Sequence, residues 1–142
     1  MSPSTKQLIA FDFGLRQIGL ATGNTISSIA SELATISAKQ GKPSWQEIET
    51  FIKEWKPDLC LVGLPLNMDG TESELSAKAR KFARQIEGRF GLKIEMVDER
   101  LSSFEAKGQA KETGHRGDYK TAPIDALAAK ILVEQWLQQN NK

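Results

Sequence analysis

One cysteine, one histidine and no long apolar run are the shortages of this 142-residue chain, and each removes a way of working. Cys60, set in Leu59-Cys60-Leu61-Val62, has no partner for an internal disulfide and no companions for a thiolate zinc site. It reads as a small buried hydrophobe, which fits a reducing, cytoplasmic setting. His115 is the only imidazole and no cysteine is a candidate nucleophile, so serine-histidine or cysteine-histidine catalysis has little to build on. No apolar stretch approaches the roughly 20 residues of a spanning helix. Met1 to Gln7 is too short and polar for a secretory leader, so no membrane partner is expected. Charge of one sign is also lacking. With 19 basic and 18 acidic side chains the net charge is +1, which announces no polyanionic partner, although local clusters can still provide one. Repeats and low-complexity tracts are absent, and the length suits a single compact domain over residues 1–142.

What is present begins with Asp12. It lies inside the apolar run Leu8-Ile9-Ala10-Phe11-Asp12-Phe13-Gly14, where a carboxylate is costly unless a cation or a hydrogen-bond donor uses it. Gly14, Arg16, Gly19 and Ala21 follow as a glycine-punctuated turn into a second run, so the acid should stand beside a tight backbone corner suited to a metal or a phosphate.

Strand-like runs near Leu8 to Phe13, Ile18 to Thr22 and Ile29 to Ile36 come first. Ser44 and Glu47 make a capping-box pattern ahead of Trp45, Ile48, Phe51, Ile52 and Trp55, which recur at helical spacing until Pro57. Asp58 to Gly63 is a continuous apolar run, expected of a strand covered on both faces, and it opens into the loop from Gly63 to Gly70. Thr71 and Glu74 suggest a second capping box, for a helix with Leu75, Ala79, Phe82, Ala83 and Ile86 inward and an end near Gly88. Lys93 to Val97 reads as a strand stopped by Asp98-Glu99-Arg100, and Ser102 with Glu105 could cap a short helix. Gly108 to Lys120 reads as a mobile loop, and Ile124, Leu127, Ala128, Ile131, Leu132 and Val133 mark a last helix opened by Thr121 and Pro123. The whole predicts an α/β fold: a five-stranded mixed sheet, three antiparallel strands then parallel ones, flanked by helices. Asp12, the loop after Val62, the acids after Val97 and Asp125 can then lie toward one edge of that sheet.

Four blocks in order carry a family resemblance that covers Leu8 to Leu137. They are Asp12-Phe13-Gly14-Leu15-Arg16-Gln17-Ile18-Gly19-Leu20-Ala21, then Val62-Gly63-Leu64-Pro65 with Met68-Asp69-Gly70-Thr71, then Asp98-Glu99-Arg100-Leu101-Ser102, and last Asp125-Ala126-Leu127-Ala128-Ala129 with Ile131-Leu132. The chain resembles the YqgF/RuvX family, Holliday-junction resolvases also implicated in processing the 5′ end of precursor 16S ribosomal RNA. The resemblance implies a ribonuclease H-like fold with Asp12, Glu99 and Asp125 as catalytic acids.

Phosphodiester hydrolysis independently asks for such a trio, because carboxylates from different elements can hold two divalent ions about 4 Å apart that activate water and stabilise the departing oxygen. Hard oxygen ligands favour Mg²⁺ or Mn²⁺. The expectation is therefore a two-metal endonuclease acting on precursor ribosomal RNA or branched DNA, as a monomer or a homodimer. Candidate substrate contacts are Gly14, Arg16, Asn67, Asp69, Gly70, Thr71, Lys78, Lys81, Arg84 and Arg100.

Plainer roles stand beside these. Asp12 could pair with Arg16 or cap a turn, and Asp125 in a first helical turn suits the helix dipole without any catalysis. Asp98-Glu99-Arg100 is by composition a solvated charge cluster, and the alternation Ile94, Met96, Asp98 makes Asp98 the inward alternative to Glu99. Asp69-Gly70 is also an ordinary turn, and Thr71 an N-cap. Lys78, Lys81 and Arg84, three apart, would make a nucleic-acid track or simply a solvated helix face. His115 and Arg116 could touch substrate from the loop, and the tryptophans at 45, 55 and 136 fit core margins better than stacking platforms. Two rival functions remain. A nucleic-acid-binding module of the same fold with little catalysis would bind after chelation and cut under no metal. An ATP-handling relative of actin and sugar kinases would need a second lobe that the chain is too short to contain.

Overall fold

The computed structural model describes residues 7–65, 67, 69–98 and 124–140, with the backbone alone for 124, 125 and 140. The expectations placed on Glu99, Arg100, the Ser102–Glu105 cap, the 108–120 loop with His115, and Thr121 with Pro123 lie outside the described residues, as does the side chain of Asp125.

The elements run β1 (Gln7–Asp12), β2 (Gln17–Asn24), β3 (Ile29–Lys39), β4 (Lys42–Pro43), α1 (Trp45–Trp55), β5 (Leu59–Leu64), α2 (Glu74–Phe90), β6 (Lys93–Asp98) and α3 (Ile124–Asn140). They build one sheet in the order β4-β3-β2-β1-β5-β6. Short turns make β1, β2 and β3 antiparallel neighbours, while α1 and α2 carry the chain back so that β1, β5 and β6 run parallel. The expected mixed architecture is present, with six strands rather than five. The added strand, β4, is two residues long and pairs Lys42 with Lys39 and Pro43 with Ala38. It follows a turn with Gln40 at φ 52° and Gly41 at φ 81°. A polar pair containing proline offers no alternation to read, so hydrophobic periodicity could not find it.

Helix ends show which side chains cap. Ser44 Oγ accepts the Glu47 N–H at 3.3 Å, and α1 stops at Lys56, whose left-handed φ of 46° caps the helix by returning its N–H to Ile52 O, ahead of Pro57, which cannot continue the helix. In α2 the capping box is Ser73 with Ser76, not Thr71 with Glu74. Thr71 is engaged instead with Asp69, whose Oδ1 accepts both its N–H and its hydroxyl. The helix runs past Gly88 to Phe90 and ends on Gly91 at φ 67°. A Cβ on Gly88 would meet nothing within 4 Å, so that glycine is tolerated in the helix rather than ending it.

Two cores lie on opposite faces of the sheet. Ile9, Phe11, Phe13, Ile18, Leu20, Cys60 and Val62 pack against Ile48 of α1 and Ala79, Phe82 and Ile86 of α2. Leu8, Ala10, Ala21, Leu59 and Leu61 pack against Ala129, Val133 and Leu137 of α3. Residues of β1 thus alternate strictly, odd numbers toward α1 and α2, even numbers toward α3. Among the described residues no helix is long and apolar enough to cross a membrane.

Candidate active site

Because β1, β5 and β6 are parallel, their carboxyl ends share one edge of the sheet, at Asp12, Leu64 and Asp98 respectively. That edge is where open α/β sheets usually receive ligands. Asp12 is half-buried and ends β1 between two buried phenylalanines. Its place in the alternation, after Leu8 and Ala10, puts it on the α3 face, and Asp125 belongs to the first turn of α3.

The same parity decides what Asp98 can do. In β6, Ile94 and Met96 pack on the α1/α2 core, whereas Val97 packs on the α3 core and Glu95 accepts a hydrogen bond from the Trp136 indole of α3. Asp98 therefore follows Ile94 and Met96 onto the α1/α2 side, opposite to Asp12. It is the inward residue of the alternation only with respect to the other core.

The corner after Asp12 admits only glycine at residue 14. A Cβ there would stand 2.5 Å from the Gln17 carbonyl oxygen, which is backbone and has no room to yield. The turn is then fastened from outside: Leu15 O accepts the Gly41 N–H at 2.9 Å and Arg16 O accepts the Ala38 N–H at 2.8 Å. The Arg16 side chain is exposed on this corner.

Beyond β5, the loop is shaped by its own polar groups. Asn67 donates from Nδ2 to Thr71 Oγ1 at 2.9 Å and to Glu72 O at 3.3 Å. Its backbone N–H reaches Thr71 O at 2.9 Å, and Gly70, at φ 90°, returns its N–H to Asn67 O at 2.8 Å. Asn67, Asp69, Gly70 and Thr71 thus hold a compact loop at the sheet edge. Two residues absent from the sequence-derived site anchor it to α2: the Ser73 and Ser76 hydroxyls both donate to Pro65 O, at 2.9 and 2.8 Å. The signal was a hydroxyl pair three apart before an apolar stripe, overshadowed by Thr71 with Glu74. Next to them Arg80 holds Glu72 through two bonds of 3.0 Å, which keeps the Glu72 carboxyl below its ordinary range.

The expected track residues of α2 divide between two grooves, while Arg89 lies over the Trp45 ring. Lys78 and Lys81 line a cavity of about 230 Å³ with Phe13, Phe82, Gln85 and the turn residues Gln40, Gly41 and Lys42. Arg84 instead lines a cavity of about 200 Å³ with Arg80, Glu87, Ile94 and Met96, beside β6. The three expected track residues do not form one line. Lys42, which carries no periodic signal in the sequence, joins two of them. Among the described residues no cluster of three or more His, Cys, Asp or Glu is grouped to hold a metal, and of the three expected ligands only Asp12 has a described side chain. Its oxygen donors suit a hard divalent cation.

A family model described as RuvX, Holliday junction resolvase, matches residues 6–139. The chain belongs to the RuvX family. Relatives agree along nearly the whole length. A protein of Saccharophagus degradans with the provisional name pre-16S rRNA nuclease is 50% identical over 96% of this chain and 96% of its own. One of the same name from Pseudomonas putida is 52% identical over 94% and 95%. Among solved structures, the Fowlpox virus resolvase in complex with Holliday junction DNA superposes with a TM-score of 0.60 at 11% identity, covering 96% of this chain and 99% of that one. T. thermophilus RuvC in complex with a Holliday junction substrate gives 0.55 at 15%, covering 96% and 97%. These likenesses establish the ribonuclease H-like fold of a RuvX member. Membership makes the chain a phosphodiester-cleaving hydrolase of a nuclease family.

Proposed function

We propose that this chain is a metal-dependent endonuclease acting on structured nucleic acid, whose task is 5′-end processing of precursor 16S rRNA in ribosome biogenesis, Holliday junction resolution, or both. The observation that carries the proposal is the position of Asp12: the end of a central strand, on the face that α3 covers, at the edge where β5 and β6 also end. Asp125 belongs to the first turn of that same helix. Asp98 falls on the opposite face, which supports Glu99, the other acid of its block, as the third ligand.

In this reading Asp12, Glu99 and Asp125 would hold Mg²⁺ or Mn²⁺, which when bound would supply activation of water and a counter-charge for the departing oxygen. The chain's own residues do the positioning. Gly14 lets the backbone corner approach the substrate, and Arg16, exposed on that corner, meets a backbone phosphate. Asn67, Asp69, Gly70 and Thr71 keep the neighbouring loop in shape, and Lys78, Lys81, Arg84 and Arg100 supply positive charge along the substrate.

The test uses the full-length protein with labelled precursor 16S rRNA 5′ regions and four-way DNA junctions, in Mg²⁺, Mn²⁺ and EDTA. Metal-dependent cutting of either substrate, abolished in Asp12→Asn with binding retained, is the expected outcome. Binding that survives chelation, without cutting under any metal, would make the chain a binding module and end the proposal.

A further inference from the structure

The groove between α2 and the β3–β4 turn is lined by Phe13, Gln40, Gly41, Lys42, Lys78, Lys81, Phe82 and Gln85. It contains three lysines and no acid among the described residues. Lys42, Lys78 and Lys81 are all exposed, and none is ion-paired with a described carboxylate. Elsewhere on the described surface cations do find acids, as Arg80 with Glu72 and Lys53 with Glu49. Three ammonium groups without a carboxylate partner among the described residues, set around one concavity, repel one another, and a bound polyanion relieves that repulsion.

The groove is also tied physically to the sheet edge. Gly41 donates its N–H to Leu15 O, and Ala38 donates to Arg16 O, so the wall bearing Lys42 is bonded to the corner that follows Asp12. Phe13, next in sequence to Asp12, forms its floor with Phe82, the two rings 5.1 Å apart. A Cβ on Gly41 would stand 2.9 Å from the Phe13 ring, so the turn sits directly on that floor.

We propose that this groove binds the phosphodiester backbone of the substrate away from the scissile bond, with Lys42, Lys78 and Lys81 as its cationic contacts. The inference rests on the nuclease reading and adds to it a subsite and a residue, Lys42, supplied by β4. A strand that passes Asp12 crosses the Gly14–Arg16 corner and enters the groove. Gln40 and Gln85 offer carboxamides that can meet sugar or base edges there. The shared chemistry is the phosphodiester, and RNA and DNA are separated by experiment.

The experiment measures binding of the full-length protein to a precursor 16S rRNA fragment and to a four-way DNA junction, in Ca²⁺ or with the Asp12→Asn background to prevent cutting, across a salt series. Removing one lysine–phosphate interaction lowers the magnitude of the slope of log K against log salt by about 0.7 for single strands and 0.9 for duplex. Lys42→Gln should lower it by about one such step on at least one of the two substrates. The triple change of Lys42, Lys78 and Lys81 to Gln should lower it by two to three steps, about 1.4 to 2.7 in slope. Lys42→Arg should restore the wild-type slope. Lys53→Gln, an equal charge change on the exposed surface of α1, should leave it unchanged. A fall on one arm alone names the strand that occupies the groove. If Lys42→Gln and the triple variant match Lys53→Gln on both substrates while the parent protein binds and cuts, the groove proposal is overturned and the nuclease reading stands. If the parent binds neither substrate, both fall.

Discussion

A methyl group placed on Gly23 would sit 2.3 Å from Val133 Cγ1. Gly23 pairs with Leu8 across β1 and β2, and Val133 is fully buried in the α3 core. The helix that carries Asp125 is therefore seated on the sheet through a glycine, at van der Waals distance, with Ala129 beside it in the same core. Gly23→Ala should destabilise the fold by about 1–3 kcal/mol, the usual cost of overpacking. Val133→Ala in the same chain should return part of that deficit, giving a coupling well above experimental error in a double-mutant cycle measured by urea denaturation. Additive effects would mean that α3 does not seat there.

Ser76 is buried with its hydroxyl between Ser73 and Pro65. Replacing it with alanine takes the acceptor from the Ser73 N–H and leaves the Pro65 carbonyl with the Ser73 hydroxyl in place of two donors, and should cost about 1–2 kcal/mol. Thr71→Ala removes bonds within an exposed loop and should cost less than about 0.5 kcal/mol. Thermal denaturation of the two variants decides which pair caps α2. A larger effect at Thr71 would reverse the assignment.

These caps also show what the sequence could and could not disclose. Continuous burial of β1 and β5 was legible because apolar runs bounded by glycine and proline leave little alternative, and the stripe from Ala79 to Ile86 was legible from its period. Thr71 and Ser73 both satisfy the chemistry of an N-cap. What separates them is Pro65, eight residues upstream of Ser73, whose carbonyl only the folded loop brings within reach. Parity at the end of β6 was similarly undetermined, since alternation tells which residues share a face but not which face α3 covers. Val97 and Glu95 supply that answer through α3. The grouping of Lys42 with Lys78 and Lys81 depends on a two-residue strand and a left-handed turn, neither of which leaves a periodic trace.

The Glu72–Arg80 pair gives a pH signature with a definite sign. Hydrogen bonding and charge from Arg80 lower the Glu72 pKa in the folded state, so the pair's contribution is present above the unfolded carboxylate value and disappears as pH falls through the lower, folded one. Both side chains are solvent-screened, so the effect is small. Carbon-detected NMR titration should show Glu72 titrating below the ordinary value of a glutamate side chain, and Arg80→Met should move it back up. An unmoved Glu72 in that variant would remove Arg80 as the cause.

Asp12 and Asp98 end parallel strands at one edge of the sheet yet belong to opposite faces, and this separates a ligand from a bystander within a single experiment. Asp12→Asn keeps shape and volume but removes the charge a divalent ion requires, so metal-dependent cutting should fall by at least about a hundredfold. Asp98→Asn removes an equal charge from the side that faces α1 and α2 and should leave cutting within about threefold of the parent. Measuring both at saturating Mg²⁺ and again at limiting metal separates weakened affinity from impaired chemistry, because a weakened site recovers as metal is raised and an incomplete one does not. Equal falls in the two variants would mean that bulk negative charge at the edge matters, not the face. A large fall confined to Asp98→Asn would reverse the parity argument and move the site to the α1/α2 side.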